Sequence, residues 1–138
     1  MSERQAIIPK GMEEVYEKIG YAPGVLVGDV LYVSGQIGRG PDMKLVEPRE
    51  AQIVQAFENL KHVLETAGGT LDDIVDLSTF HTDMRDLPLF IKVRQRYLTS
   101  YPLPAWTATG AHMLGGGPGY IIEIKAVAHL RKKGTTPA

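Results

Sequence analysis

The chain contains no cysteine. This excludes disulfides, thiolate metal sites and a cysteine nucleophile, and it fits a cytoplasmic protein. No apolar run approaches the roughly 18 residues of a membrane span, so no membrane partner is expected. The opening MSERQAIIPK has no apolar h-region, and no signal peptide is expected. Charge of one sign is also missing. Fifteen Lys and Arg stand against 16 Asp and Glu, for a net charge of −1. The cations are scattered, and the one cluster, RKK at 131–133, reads as part of a flexible, solvated tail over 131–138. A nucleic-acid partner normally demands a basic stripe, so none is expected. Histidine pairs are absent too: His62, His81, His112 and His129 form neither HxxH nor HExxH, and no metal site is expected. There is no GxxxxGK[ST] phosphate loop. GQIGRG (35–40) has glycines in number but follows a hairpin strand and enters a loop, which is the wrong context for a dinucleotide turn.

What is present is ordinary in bulk and informative in pattern. A chain of 138 residues that is 43% hydrophobic and 22% charged is sized for one domain with a proper core. QAIIPKG reads as a short strand. MEEVYEKIGYAPG reads as a connection holding a helical turn at most. Residues 25–38 read as two strands around a Gly28–Asp29 turn, because Gly-Asp between β-branched runs is a hairpin signal. Residues 47–69 carry apolar side chains at Ile53, Phe57, Leu60 and Leu64, steps of three and four that make one helical face. Gly68–Gly69 supplies the stop. A strand is expected from about Ile74 to Thr82. A second helix is expected over 86–101, with Asp86 as its cap, Pro88 in its first turn, and Phe90, Val93, Tyr97 and Tyr101 on one side. Strands over 105–113 and 120–131 close the chain.

The order β-β-β-α-β-α-β-β places two helices on one face of an α+β, mixed sheet of about six strands. Both helices connect strands, so some pairing is parallel. In the last strand Tyr120, Ile122, Ile124, Ala126, Ala128 and Leu130 make a wholly apolar face for the helices. The opposite face holds Ile121, Glu123, Lys125, Val127 and His129. That face is too apolar to be left open, and an oligomer is the natural inference.

Three residues stand out for chemistry. Glu123 lies between isoleucines in a central strand. It either pairs with Lys125 on the same face, or serves as a general base whose pKa burial raises. Ser34, followed by Gly35, is either a serine bonded across the sheet or part of a site where a ligand comes close to the backbone. Tyr21 is either a packed surface ring or a pocket wall.

VGDVLYVSGQIG, AFENLKHVLETAGGTLDDIVDLSTFHTDM and YIIEIKAVAHL, in that order, resemble the Rid (YjgF) proteins. These are enamine/imine deaminases, with the older label L-PSP endoribonuclease, and the likeness covers about residues 19–131. The resemblance implies a chorismate-mutase-like fold assembled as a homotrimer with clefts between subunits. It implies hydrolysis of 2-enamine/2-imine acids such as 2-aminoacrylate to 2-keto acids and ammonia, without metal or organic cofactor. It carries the water-holding glutamate onto Glu123, the strand serine onto Ser34 and the pocket tyrosine onto Tyr21. The chain departs from the pattern where the family has P-A-R-S/T-C. Here PAWTA puts Trp106 in place of the substrate-binding arginine, followed by Thr107, and puts Ala108 in place of the cysteine. A further pocket position on the second helix falls on Arg94.

A lost bidentate cation costs about 2–5 kcal/mol in a half-buried site. The resemblance therefore implies an imine other than 2-aminoacrylate, with Trp106 stacking on a planar ligand and Arg94, Lys125 or His112 as replacement cation. Trp106, Arg94, Thr107 and Lys125 are the expected substrate contacts. The alternative is a small-molecule binding or sensing protein that kept the cleft and lost catalysis. Ribonuclease activity fits poorly with the acidic pI of about 6.4 and the missing histidine pair.

Overall fold

The computed structural model describes residues 3–131; residues 132–138, the greater part of the expected tail, lie outside the described residues. The strands are β1 (Arg4–Ile7), β2 (Gly24–Val27), β3 (Val30–Ile37), β4 (Ile74–His81), β5 (Ala105–Gly110) and β6 (Ile122–His129). The α-helices are α1 (Arg49–Thr66) and α2 (Leu87–Tyr97), and a short π-helical segment spans Val15–Ile19, in the connection read from the sequence as holding a helical turn at most. The strands form one six-stranded sheet in the order β1-β2-β3-β6-β4-β5. Only β4 and β5 pair in parallel, across α2. Strand β6 lies between β3 and β4 and is antiparallel to both. The mixed α+β sheet expected from the sequence is the one present.

Local chemistry explains the boundaries. Gly28, at φ 59°, makes the two-residue connection between β2 and β3. Helix α1 stops where Gly68 turns left-handed at φ 90° and Gly69 N–H donates to the carbonyl of Leu64 at 2.8 Å. This is the glycine stop read from the sequence. Helix α2 is shorter than expected. It ends at Tyr97, and Leu98 is already extended. Pro102 and Pro104 bar continuation beyond, and Tyr101 is 86% exposed instead of sharing the helix's apolar side. Asp86 holds the N-cap position of α2, as expected, but its side chain makes no capping hydrogen bond. Asp83 caps instead, accepting from the Arg85 backbone N–H at 2.9 Å at the start of a single 3₁₀ turn. Strand β6 starts at Ile122, later than expected, because the Ile121 N–H is taken by the Gln52 side chain at 2.7 Å.

The core lies between the helices and one sheet face. Phe57, Leu60 and Leu64 of α1 and Phe90 and Val93 of α2 are fully buried against Leu31, Leu77 and Ile124. In β6 the alternation read from the sequence holds: Ile122, Ile124, Ala126 and Ala128 are buried, while Lys125 and His129 are exposed. Neither α1 nor α2 covers the opposite face, where Tyr32 is 48% and Val75 51% exposed.

Candidate active site

The site begins at an irregularity in β3. Its register against β6 shifts between Val33 and Gln36, so Ser34 and Gly35 form a bulge, a device that re-aims side chains. Glycine at position 35 leaves room for Glu123, because a Cβ there would meet its carboxylate and force that side chain to shift. The Ser34 hydroxyl donates to the carbonyl of Ala22 at 2.6 Å, and the Ser34 N–H donates to the carbonyl of Pro23 at 2.9 Å. These bonds fasten the segment carrying Tyr21 to the bulge. With its proton so committed, the serine oxygen is left with acceptor capacity.

Glu123 sits on β6 between Ile37 of β3 and Phe80 of β4. It is half-buried on the face without helices. Lys125, two residues on, shares that face, but among the described residues no ion pair joins them. Burial alone pushes the Glu123 carboxyl above its ordinary value of 4.5, with no cation to offset it. The pairing alternative is therefore not the one realised.

Glu123, Ser34, Gly35, Tyr21 and Lys125 line one cavity of about 590 Å³. Its apolar walls include Met12, Val15, Ile37 and Phe80, and Lys10 and Arg39 stand at its margin. Among the described residues no group of three or more His, Asp or Glu side chains could hold a metal ion.

Trp106 and Arg94 are not in this cavity. Strand β5 sets Trp106 beside Leu77 of β4, whose side chain is buried under the helices. The indole therefore faces α2. It stacks on Phe90 with ring centroids 5.6 Å apart, and its N–H donates to the Thr79 hydroxyl at 2.9 Å. The Arg94 guanidinium lies over the ring, 4.7 Å from its centroid. The tryptophan expected in the ligand cleft thus packs inward within its own protomer, and Arg94 is engaged with it. Thr107 is exposed on the sheet face that carries Glu123, next to Ser78, and does not line the cavity.

The family described as Endoribonuclease L-PSP matches residues 12–130. The chain belongs to this family. It is 36% identical over 131 residues to the RutC family protein YjgH of Escherichia coli, covering 94% of this chain and 98% of that one. The solved structure of protein YJGH superposes with a TM-score of 0.85 at 35% identity, covering 95% of this chain and 99% of that one. RidA from the Antarctic bacterium Psychrobacter sp. gives a TM-score of 0.75 at 37% identity, covering 80% and 88% respectively. The Rid/YjgF membership and the YjgF-like fold read from the sequence both hold.

Sequence reasoning missed Arg39 and Gln52. Arg39 lies in the loop after β3, within the glycine-rich GQIGRG. Gln52 is a buried amide on the apolar side of α1. It donates to the carbonyls of Val46 at 3.3 Å and Gly119 at 3.1 Å and accepts from Ile121 N–H at 2.7 Å. It thereby ties two loops beside the cavity to the helix. The available signal was a glutamine just before Ile53, where the helical period calls for an apolar residue.

Proposed function

We propose that this protein hydrolyses the C=N bond of an imine or enamine other than 2-aminoacrylate, releasing ammonia and leaving a carbonyl compound. Glu123 carries the reading. It is an unpaired, half-buried carboxylate in a roomy cavity of a Rid-family chain, with a raised pKa. A general base needs that poise.

The reaction needs few groups. The Glu123 carboxylate accepts a proton as a water oxygen bonds to the imine carbon. The substrate reacts as its protonated iminium, so the C=N π electrons move to nitrogen and leave a neutral amine on the carbinolamine. Glu123 then returns its proton to that amine, the C–N bond breaks to release ammonia, and the hydroxyl proton passes to the Glu123 carboxylate, and from it to solvent, as the oxygen becomes the carbonyl. The Ser34 oxygen and the Tyr21 hydroxyl orient water and substrate, and Lys125 adds positive charge at the mouth. The test is ammonia release from imines made in situ by an amino-acid oxidase acting on a panel of amino acids. Glu123→Gln should lower the rate by about 10²–10⁴-fold, the usual worth of a general base. An unchanged rate would remove Glu123 from the mechanism.

One observation favours the second reading, a binding or sensing protein: Trp106 stands where the family pattern has a substrate-binding arginine. A carbonyl compound that raises the melting temperature, with no imine turned over, would decide for it. We also propose that the chain assembles as a homotrimer through the helix-free sheet face, with further contacts to the ligand from neighbouring subunits, Thr107 among them.

A further inference from the structure

We propose that Arg39 supplies the anion-binding contact of this cavity, and that it selects a carboxylate on an apolar body larger than a three-carbon imino acid. This rests on the reading of the cavity as the substrate site and names the substrate class.

Among the described residues the three lysine and arginine side chains lining the cavity, Lys10, Arg39 and Lys125, form no ion pair, although Lys10 lies near enough to Glu13 to lower its pKa. Against them stands one carboxylate of the lining, Glu123. The cavity therefore carries excess positive charge that the protein leaves unneutralised. Lys10 and Lys125 are exposed, and water screens them. Arg39 is half-buried, where a charge-assisted bond is worth more. Its planar fork also matches a carboxylate in a way an ammonium does not.

The backbone holds Arg39 in place from both sides. Its N–H donates to the Ile37 carbonyl at 2.8 Å, and its carbonyl accepts from the Asn59 amide at 2.8 Å. The Asn59 amide also donates to the Ile37 carbonyl at 2.9 Å, and its oxygen accepts from Gln55 at 2.8 Å. Ile37 pairs directly with Glu123. Arg39 follows two residues on, just past the end of β3, where its N–H closes a tight turn onto the Ile37 carbonyl. Glu123 and Arg39 both line the cavity, so an acid whose C=N carbon lies at Glu123 can present its carboxylate to the guanidinium. The same cavity is also lined by the apolar side chains of Met12, Val15, Ile37 and Phe80. A cavity of about 590 Å³ lies within the range of about 300–1,000 Å³ that drug-sized ligands fill, far beyond what a three-carbon acid occupies. Arg39 would therefore do, from the end of β3, what Trp106 on β5 cannot.

The test is calorimetric titration of the intact protein with three stable probes: 4-methyl-2-oxopentanoate, pyruvate and the neutral ketone 4-methyl-2-pentanone. The branched keto acid should bind more tightly than pyruvate. Arg39→Met should weaken its binding by about 10- to 100-fold, the worth of a hydrogen bond to a charged group. Affinity for the ketone should not move, and Arg39→Lys should restore part of the loss. Only the Arg39 side chain is changed, and the observed bonds here are made by its backbone, so the fold should survive; the lysine variant and the ketone titration check that. Branched keto acid binding that survives Arg39→Met, or is lost in Lys10→Met or Lys125→Met instead, overturns the proposal. So does its failure to bind the wild-type protein. Equal affinity for pyruvate overturns the size selection. The outcomes stay separate from catalysis. If the keto acid binds through Arg39 but no imine is hydrolysed, the hydrolase reading fails and the anion site stands. If imines are hydrolysed with no effect of Arg39→Met on binding, the reverse holds.

Discussion

At the scale of single residues, Glu123 has opposite effects on chemistry and on stability. Burial raises its folded pKa above 4.5, while in the unfolded chain it titrates as an ordinary glutamate. Between the two values the folded state holds a proton that the unfolded state has released. Stability therefore falls as pH rises through that window and stays lower at neutral pH. Glu123→Gln should melt at a higher temperature than the wild type at pH 7. The gain should vanish in scanning calorimetry below about pH 4, where both states are protonated. In the proposed hydrolysis, the same shift should place the acid limb of ammonia release above the range of a solvated glutamate. Gly35→Ala sets a methyl group against this carboxylate. It should cost about 1–3 kcal/mol, as overpacking does, and should slow turnover by displacing the base, read as a lower melting temperature and a lower kcat. Glu123 and Ser34 were legible in the sequence because a carboxylate among isoleucines and a Ser-Gly pair inside a strand both break a local pattern. Arg39 was not legible, because an arginine in a glycine-rich loop breaks none.

At the scale of elements, the aromatic layer under α2 joins parts far apart in the chain. Phe57 stacks on Phe90 at 5.6 Å and on Tyr97 at 4.9 Å, and Phe90 in turn stacks on Trp106. Trp106→Ala removes one end of that stack and the donor to Thr79. It should destabilise the fold by about 2–4 kcal/mol, somewhat below the cost of truncating a fully buried aromatic residue. Binding in the Glu123 cavity of the same protomer should be left intact. A binding defect without a change in melting temperature would return Trp106 to the ligand. Beside this layer His81 is buried and bonded to Thr79 at 2.8 Å. Desolvation depresses its pKa below 6.5, partly opposed by Asp86. Below pH 6.5 the unfolded histidine takes up a proton that the folded one refuses, so stability should fall there. Replacing His81 with glutamine should flatten that slope in a pH series of thermal melts. The helices and the β6 alternation could be read from the sequence because each repeats a period over many residues. The facing of β5 could not. AWTATG alternates weakly, and only its register on β4 decides that the indole turns inward.

At the scale of the whole molecule, one sheet face is covered and the other is not. Val127 of β6, Tyr32 and Val75 leave apolar surface on the uncovered face, which the proposed trimer would bury. Light scattering at micromolar concentration should give three times the 15.1 kDa chain mass. Tyr32→Lys, which puts a charge on the exposed face, should shift the mass toward one chain. A wild-type protein that scatters as a monomer would rule out clefts shared between subunits. The sequence showed an apolar face without a helix to cover it. How copies would fit in the proposed trimer is a matter of surface shape, which no periodicity encodes.

Gln52 and Asn59 lie seven residues apart on α1, two turns of one stripe, and they hold the loops on either side of the cavity. The rim is thereby fastened to the most deeply packed helix of the protein. Its opening is then coupled in time to the breathing of that helix and not to the motion of a free loop. The Ile121 amide should exchange with deuterium at a rate set by the α1 core, orders of magnitude slower than the loop amides around it, and in Gln52→Ala it should exchange with the loop. The cavity would then admit its ligand through an entrance of nearly fixed shape.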